Sequence, residues 1–522
     1  MRFVSLLLYG ALLCGGPAAG QGEYPPGTFE LTPETDLGLV PVPVEVPEAF
    51  KDLVPEGKTL NLPPGFSVKV FAAEGLQGPR FMAFSPEGVL HAANMRVRGR
   101  DNAQIVALPD RDNDGVADEA VVVAEGFAAV HSLAFYGDAL YAADPDELVI
   151  LRDPDGDGIY QERKVLMQLP KGGLHFTRTV VFDQENGKGY VSIGSTCDIC
   201  REDDPEYAAV VQFNPDGSGR RIFATGMRNS VGLDFHPLSN QLWATNNGHG
   251  KQGRSLPPEW INIIEDGGFY GWPFAYGFRV WVDFDVKVFR DDLFPLTQED
   301  SLLVETMPRP TALLPAHMAP MAIHFYDKGS FPSRFRNNAF VALRSGMYGE
   351  VPGYKVISLF SEADGSNAQV AEFMTGFQPI VASAEGVWGQ PVGLATDQAG
   401  HLYVSSDWVT FAIFRIEYDN PTAVQEEAAP QTFSLAQNYP NPFNSGTTIP
   451  FALEKAGAVE IAIYDLQGQR VATLERGARS AGRYAAAWDG LDASGKEAAS
   501  GVYFYRLEAE GRQETRKLLL LR

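Results

Sequence analysis

The chain has 522 residues, 45% of them hydrophobic and 21% charged, an ordinary globular composition spread over more length than one core fills. Its formal net charge of −24 would repel a polyanion, which excludes a nucleic-acid partner.

Met1–Gln21 reads as a secretory signal: Arg2 is the basic start, Val4–Leu13 the apolar stretch, and Pro17–Gly20 the small-residue cleavage region. The apolar run is too short to span a bilayer as a helix, and no later segment is a transmembrane candidate. Residues 22–64 are rich in Pro and Glu without clean periodicity and read as an extended lead-in laid over the main domain.

From Phe66 a repeat takes over, built of an apolar triplet, a polar Gly-containing turn and an alternating strand. Copies start at Phe81, Ser132, Thr179, Gly232, Met321 and Val392, and their triplets end at Phe84, Phe135, Phe182, Phe235, Phe325 and Thr396. A period of about 50 residues suits one four-stranded sheet per copy, and two longer gaps leave room for inserted loops. Six such copies predict a six-bladed β-propeller over residues 65–419, in an all-β chain. The last copy offers three strands, so Phe66–Ala73 is expected to supply the fourth and close the ring. Residues 420–431 read as a polar linker. Residues 432–522 carry short alternating strands, among them Val459–Tyr464, Tyr484–Trp488 and Gly501–Leu507, and predict a small Ig-like β-sandwich.

Two acidic loops match D-x-D-x-D-G: Asp110, Asp112 and Asp114 before Gly115, and Asp153, Asp155 and Asp157 before Gly158. Alternate carboxylates with a glycine at the bend wrap oxygens around calcium. The twelfth positions are Val121 and Lys164, so neither is a complete EF-hand, and their equivalent places in successive repeats favour structural calcium at blade edges. Gly248 to Gly253 matches G-x-G-x-x-G, but prolines follow instead of a helix, which rejects a dinucleotide fold.

Once the signal is removed, Cys197 and Cys200 remain, spaced C-x-x-C. That spacing suggests a redox or metal site in a cytosolic chain and a small structural disulfide in an exported one. His131, His175, Arg228, Asn229, Asn246–His249, His317 and Arg344 stand at the ends of repeats, where a radial fold gathers them on one face. There His175 can take a proton and Arg228 can stabilise charge developing on an oxygen.

At these residues the sequence resembles the glucose/sorbosone dehydrogenase family, the soluble quinoprotein sugar dehydrogenases. The likeness covers Leu62 to Tyr418 and is carried by stretches such as LPPGFSVKVFA, GLHFTRTVVF, YVSIGSTCDIC, FATGMRNSVGLDFHP and LWATNNGHG. It implies pyrroloquinoline quinone (PQQ) on the central face, with a Ca2+ ion against it. By position, His175 would be the base that removes the proton of an aldose C1 hydroxyl while hydride passes to the quinone. Arg228 would polarise the quinone carbonyl, and Asn229 and Asn247 would hold the cofactor. The carbonyls of Gly248 and His249 would bind the calcium, and Arg344 and Lys355 would meet the cofactor's carboxylates. Electrons would leave to an external acceptor.

The sequence departs from glucose-oxidising members at Leu174, where they carry an acidic residue, and at His249, where they carry Pro. This favours a sorbosone-like or other aldose. Two rival readings keep the fold: a surface propeller that binds glycan or protein without catalysis, and a calcium-dependent propeller lactonase. The tail resembles the type A sorting domain of the type IX (Por) secretion system, through Asn438–Asn444, Val459–Gly468 and Ser500–Arg506. That likeness implies a partner in the secretion machinery and a secreted or cell-surface location.

Overall fold

A computed structural model describes residues 24–95, 102–344, 353–379, 385–418 and, with short gaps, 433–521. The expected signal and linker lie outside the described residues. The chain divides into two compact units, residues 1–419 and 420–522.

Among the described residues of the first unit are six four-stranded antiparallel sheets. The first five run in chain order from their inner to their outer strands. Their innermost strands are Pro79–Phe84, Ser132–Tyr136, Arg178–Asp183, Leu233–Phe235 and Pro320–Tyr326. The sixth holds Pro391–Thr396, Leu402–Trp408 and Thr410–Tyr418, and its outer strand is Phe66–Ala72 from the other end of the ring. Phe66 faces Tyr418 and Lys69 faces Arg415 across that seam. The unit is a six-bladed β-propeller, and each repeat seen in the sequence is the inner hairpin of one blade.

Two features let the inner strands meet. Glycines remove side chains at the contact: a Cβ on Gly232 would lie 2.2 Å from the Met321 carbonyl, and one on Gly393 would lie 2.1 Å from the Arg80 carbonyl. Buried hydroxyls then stitch blade to blade. Thr245 Oγ1 donates to the Met321 carbonyl (2.9 Å), and Ser405 Oγ donates to the Arg80 carbonyl (2.6 Å) while accepting from the Gly393 amide (2.8 Å). Apolar layers fill the wedges between blades, as where Trp243 packs with Phe325, Val341 and Leu359.

The lead-in contains a hairpin, Val40–Pro43 with Thr59–Leu62, and runs along outer edges of the ring. Its amides at Thr32 and Thr35 donate to the Leu313 and Val370 carbonyls, and Glu45 bridges Lys69. Edge strands are thereby covered. The long gap in the fourth blade holds a short hairpin, Ala275–Tyr276 with Val280–Trp281, and two helices, Lys287–Leu293 and Gln298–Thr306. The second helix starts with a capping box between Thr297 and Asp300.

The second unit has two sheets. Ser434–Leu435, Thr447–Leu453 and Gly482–Trp488 form one; Gly457–Tyr464, Arg470–Arg479, Gly501–Ala509 and Arg512–Leu520 form the other. Trp488, Ile449, Ile461 and Tyr505 are buried in its core, which is that of an Ig-like sandwich. Asn438, which opens the first tail motif, is buried; its amide nitrogen side chain donates to Thr447 and its backbone amide to the Tyr505 hydroxyl.

Ser405 joins the sixth blade to the first, so Ser405→Ala would strand the Arg80 carbonyl and the Gly393 amide. Urea unfolding of the variant is expected to show a loss of about 1–3 kcal/mol; a midpoint equal to that of the parent protein would contradict the stitching account.

Candidate functional site

In a blade numbered from inside out, the loop entering the first strand and the loop from the second to the third strand share one face. The other two turns share the opposite face. His131, His175, Arg228, Asn229 and His317 stand in entering loops, while Cys197, Cys200, Asn247–His249, Arg344 and Lys355 stand at second-to-third connections. All therefore belong to one face. Asp110–Asp114 and Asp153–Asp157 stand between third and fourth strands and belong to the other.

His175 is half-buried. Its Nδ1 lies 2.8 Å from Ser195 Oγ and 3.2 Å from the Ser195 carbonyl. The Ser195 hydroxyl spends its own hydrogen on the Cys197 carbonyl (2.6 Å), so toward the ring it can only accept. Both partners of Nδ1 are acceptors, which fixes the proton on Nδ1 and leaves the Nε2 lone pair for a substrate proton. Burial, with Arg228 nearby, pushes the imidazole down to about 3. Arg178, buried, donates to the His175 carbonyl (2.7 Å) and holds the backbone behind the ring.

Arg228 is buried, and Asp198 is its counter-charge. Its Nε donates to the Asp198 carbonyl (2.8 Å), its Nη2 to the Asp198 carboxylate and its Nη1 to the Asn247 carbonyl (3.1 Å). Burial alone would raise the Asp198 carboxyl; Arg228 and the Gly250 amide outweigh it and hold it below the usual carboxylate value. The Ser195 amide donates to the Arg228 carbonyl (2.8 Å), which couples the base strand to the arginine loop. A Cβ on Gly194 would come within 2.6 Å of His175 Cβ and 2.8 Å of Asn229 Oδ1, so glycine is what lets those two side chains flank one spot.

Asn229 and Asn247 are tied back to back: the Asn247 amide donates to the Asn229 carbonyl (3.1 Å), and the Asn229 amide donates to Asn246 Oδ1 (3.0 Å). Asn247 Oδ1 and Ser230 Oγ are buried without a protein partner. Glu259, buried, accepts from the Gly248 amide (2.5 Å) and the His317 amide (3.0 Å) and so ties the second-to-third connection of the fourth blade to the loop that enters the fifth. The His249 side chain turns away toward the insert, its ring 5.0 Å from that of Phe289 and 6.5 Å from that of Tyr276, and burial pushes it down to about 4. The residue that departs from Pro therefore packs against the insert, with its Nε2 buried and without a protein partner. Leu174, beside the base, is 56% exposed, an apolar rim where a polar one was expected for glucose.

Near the ring axis, Asp407 is fully buried between Arg80 Nη1 (2.9 Å) and Arg344 Nε (2.9 Å). His131 is fully buried with both ring nitrogens unpartnered; burial, then Arg80, Arg344 and Arg178, hold it well below the ordinary imidazole value. Three guanidiniums against one carboxylate leave this spot electropositive. Lys355 pairs with Glu372 on the wall of a cleft of about 450 Å³ that also includes Asn61, Gln378 and Trp388. Arg344 and Lys355 are thus already engaged by protein carboxylates.

Cys197 and Cys200 form a disulfide, Cα to Cα 6.2 Å. In the acidic loops, carboxylate oxygens of Asp110, Asp112 and Asp114 gather within 4.8 Å of one another, as do those of Asp153, Asp155 and Asp157. Ser195, Asp198, Glu259, Arg80 and Asp407 were not singled out from the sequence. Asp198 lies between the two cysteines, the one signal that could have drawn attention to it.

The TrAA12-like family model matches residues 60–419, and the FlgD Ig-like domain model matches residues 441–513. Aldose sugar dehydrogenase YliI of Escherichia coli is 34% identical over 132 residues, 22% of this chain and 33% of that protein. Among solved structures, a carbohydrate-active enzyme of family AA12 from Trichoderma reesei has a TM-score of 0.58 at 19% identity, covering 70% of this chain and 98% of its own. The PQQ domain of pyranose dehydrogenase from Coprinopsis cinerea has a TM-score of 0.57 at 20% identity, covering 72% and 100%. Both have the propeller fold.

The depressed His175 gives a solution test. In cofactor-free protein its ring stays neutral as the pH falls from 8 to 5, and its contribution to stability is lost only as the pH drops from about 6.5, the unfolded value, toward about 3. Histidine NMR reads this directly; a His175 midpoint near the ordinary imidazole value would contradict the burial argument.

Proposed function

The chain belongs to the TrAA12-like family, and on that premise we propose that it is a quinoprotein that oxidises the C1 hydroxyl of an aldose or sorbosone-like sugar and passes electrons to an external acceptor. The observation that carries this reading is the lock on His175 as a bare-Nε2 base by Ser195, whose own amide donates to the carbonyl of the buried Arg228.

The residues fit the implied cofactor. Pyrroloquinoline quinone is a flat polyanion, and the axial excess of guanidinium charge at Arg80, Arg178 and Arg344 suits its carboxylates. The unpartnered Asn247 Oδ1 suits a hard cation, beside the Gly248 and His249 carbonyls. When bound, the quinone would supply the hydride acceptor. The chain's own part is to orient the sugar, to take the hydroxyl proton on His175 Nε2 and to place positive charge from Arg228 where an oxygen becomes negative. A base with a very low proton affinity in the empty site gains affinity when an anion is bound nearby, which would bring it into a useful range. The exposed Leu174 favours a sugar less polar at that edge than glucose.

Export and surface delivery belong to the same proposal. The tail's sequence likeness at Asn438–Asn444, Val459–Gly468 and Ser500–Arg506 motivates a sorting role through the type IX machinery, and the leader read at residues 1–21 motivates passage out of the cytoplasm. The acidic loops on the far face would hold structural calcium.

Purified protein loaded with pyrroloquinoline quinone and calcium is expected to reduce a dye with one or more aldoses; no quinone spectrum and no turnover would reject the enzyme reading. His175→Ala should lower turnover by roughly 100- to 10,000-fold, and near-normal turnover would remove His175 from the role of base.

Calcium added to metal-stripped protein should raise the melting temperature, and Asp110→Asn with Asp153→Asn should abolish part of that rise. Identical melting with and without calcium would contradict structural calcium.

A further inference from the structure

We propose that the loop closed by Cys197 and Cys200 is a positioning element for both reactive groups, with Ser195 setting the base and Asp198 setting the guanidinium. This rests on the reading of His175 and Arg228 as the reactive pair.

The loop is tied to each group by side-chain and backbone bonds. On one side, the Ser195 hydroxyl donates its hydrogen bond to the Cys197 carbonyl, and that donation is what leaves Ser195 Oγ an acceptor for His175 Nδ1. If the Cys197 carbonyl moved away, the hydroxyl would be free to donate to Nδ1, and the ring could carry its proton on Nε2, the wrong atom for a base. On the other side, Asp198 offers Arg228 both a carbonyl and a carboxylate. A second donor set fixes Asp198 itself: the Gly250 amide lies 3.2 Å from its Oδ1, and Trp272 Nε1 donates to its carbonyl (3.2 Å).

The loop is anchored from behind, so it can hold position. Ile199 is buried in the apolar core of the insert, with Phe274, Phe289 and Leu293. Arg201 forks onto the Asp300 carboxylate and also donates to the Leu293 carbonyl (2.8 Å). Glu202 accepts from the Thr196 amide and hydroxyl, each at 2.7 Å. The disulfide closes a short loop whose two inner residues point two ways: Asp198 toward Arg228, Ile199 into the insert. With the bond open, the backbone between those anchors gains freedom at the two residues that carry the contacts. A misplacement of a fraction of an ångström in a supporting residue is enough to disturb a reactive geometry.

The test uses the full chain, cofactor-free and loaded with pyrroloquinoline quinone and calcium. The loop is opened in two ways: by the double variant Cys197→Ser, Cys200→Ser, and by phosphine reduction of the folded parent protein with the released thiols counted. Far-ultraviolet circular dichroism checks that the sheets persist. In the cofactor-free protein, imidazole 15N shifts read the His175 tautomer, with the signal assigned by its loss in His175→Gln. The parent is expected to show the Nδ1–H form, and the opened loop a mixture of both forms. In the loaded protein, opening the loop should lower kcat roughly 10- to 100-fold while KM for the sugar stays within about threefold. Asp198→Asn should lower kcat in the same way and leave the tautomer intact. An unchanged tautomer in folded, thiol-verified protein overturns the proposal, as does an unchanged kcat in Asp198→Asn. If the loaded parent turns over no sugar, the proposed function fails, and the tautomer result still decides the role of the loop.

Discussion

A guanidinium buried at the mouth of a propeller needs a carboxylate beside it. Leaving it unpaired would cost several kcal/mol, and most of the site follows from how that need is met. Asp198 supplies the charge, and it must come from a loop that cannot drift. The disulfide, the Ile199 anchor and the Arg201–Asp300 pair keep it there. The same loop turns Ser195 toward His175, so the pairing of one buried charge also decides which nitrogen of the ring is bare.

The ring makes this arrangement possible at low sequence cost. Inner strands of neighbouring blades are brought into contact by Gly232 and Thr245 where the fourth meets the fifth, and by Gly393 and Ser405 where the sixth meets the first. Residues far apart in the chain then meet because each stands at the same end of its own blade. His175, Arg228 and Asn247 need no helix dipole or strained turn to converge; topology alone puts them on one face. The same logic sends the two aspartate loops to the opposite face, which separates any structural metal there from the site's chemistry.

Much of the fold was legible because a blade's inner hairpin leaves a strong local trace. An apolar triplet, a glycine turn and an alternating strand recur, and the strand orphaned at Phe66 announces closure. The candidate base and arginine were legible because they fall at the ends of those repeats. What escaped was the layer of partners behind them. Asp198, Glu259 and Asp407 have no periodicity of their own, and each acts through bonds to residues distant in sequence: Asp407 to Arg80, Asp198 to Arg228, Glu259 to His317. The direction of a side chain escaped as well. His249 looked like a site residue by position, yet its ring packs on Phe289 of an insert whose helices the repeat could not reveal. Arg344 and Lys355, expected to meet the cofactor's carboxylates, are paired in the protein with Asp407 and Glu372, partners the repeat pattern does not reveal.

The most direct measurement is a crystal structure of the protein soaked with pyrroloquinoline quinone and calcium. The account predicts flat density on the face that carries His175 and Arg228, with His175 Nε2 and the Arg228 guanidinium both in reach of it and a cation peak beside Gly248 and His249. A fully bound quinone on another surface, or on that face with Arg228 and His175 out of reach, would contradict the account.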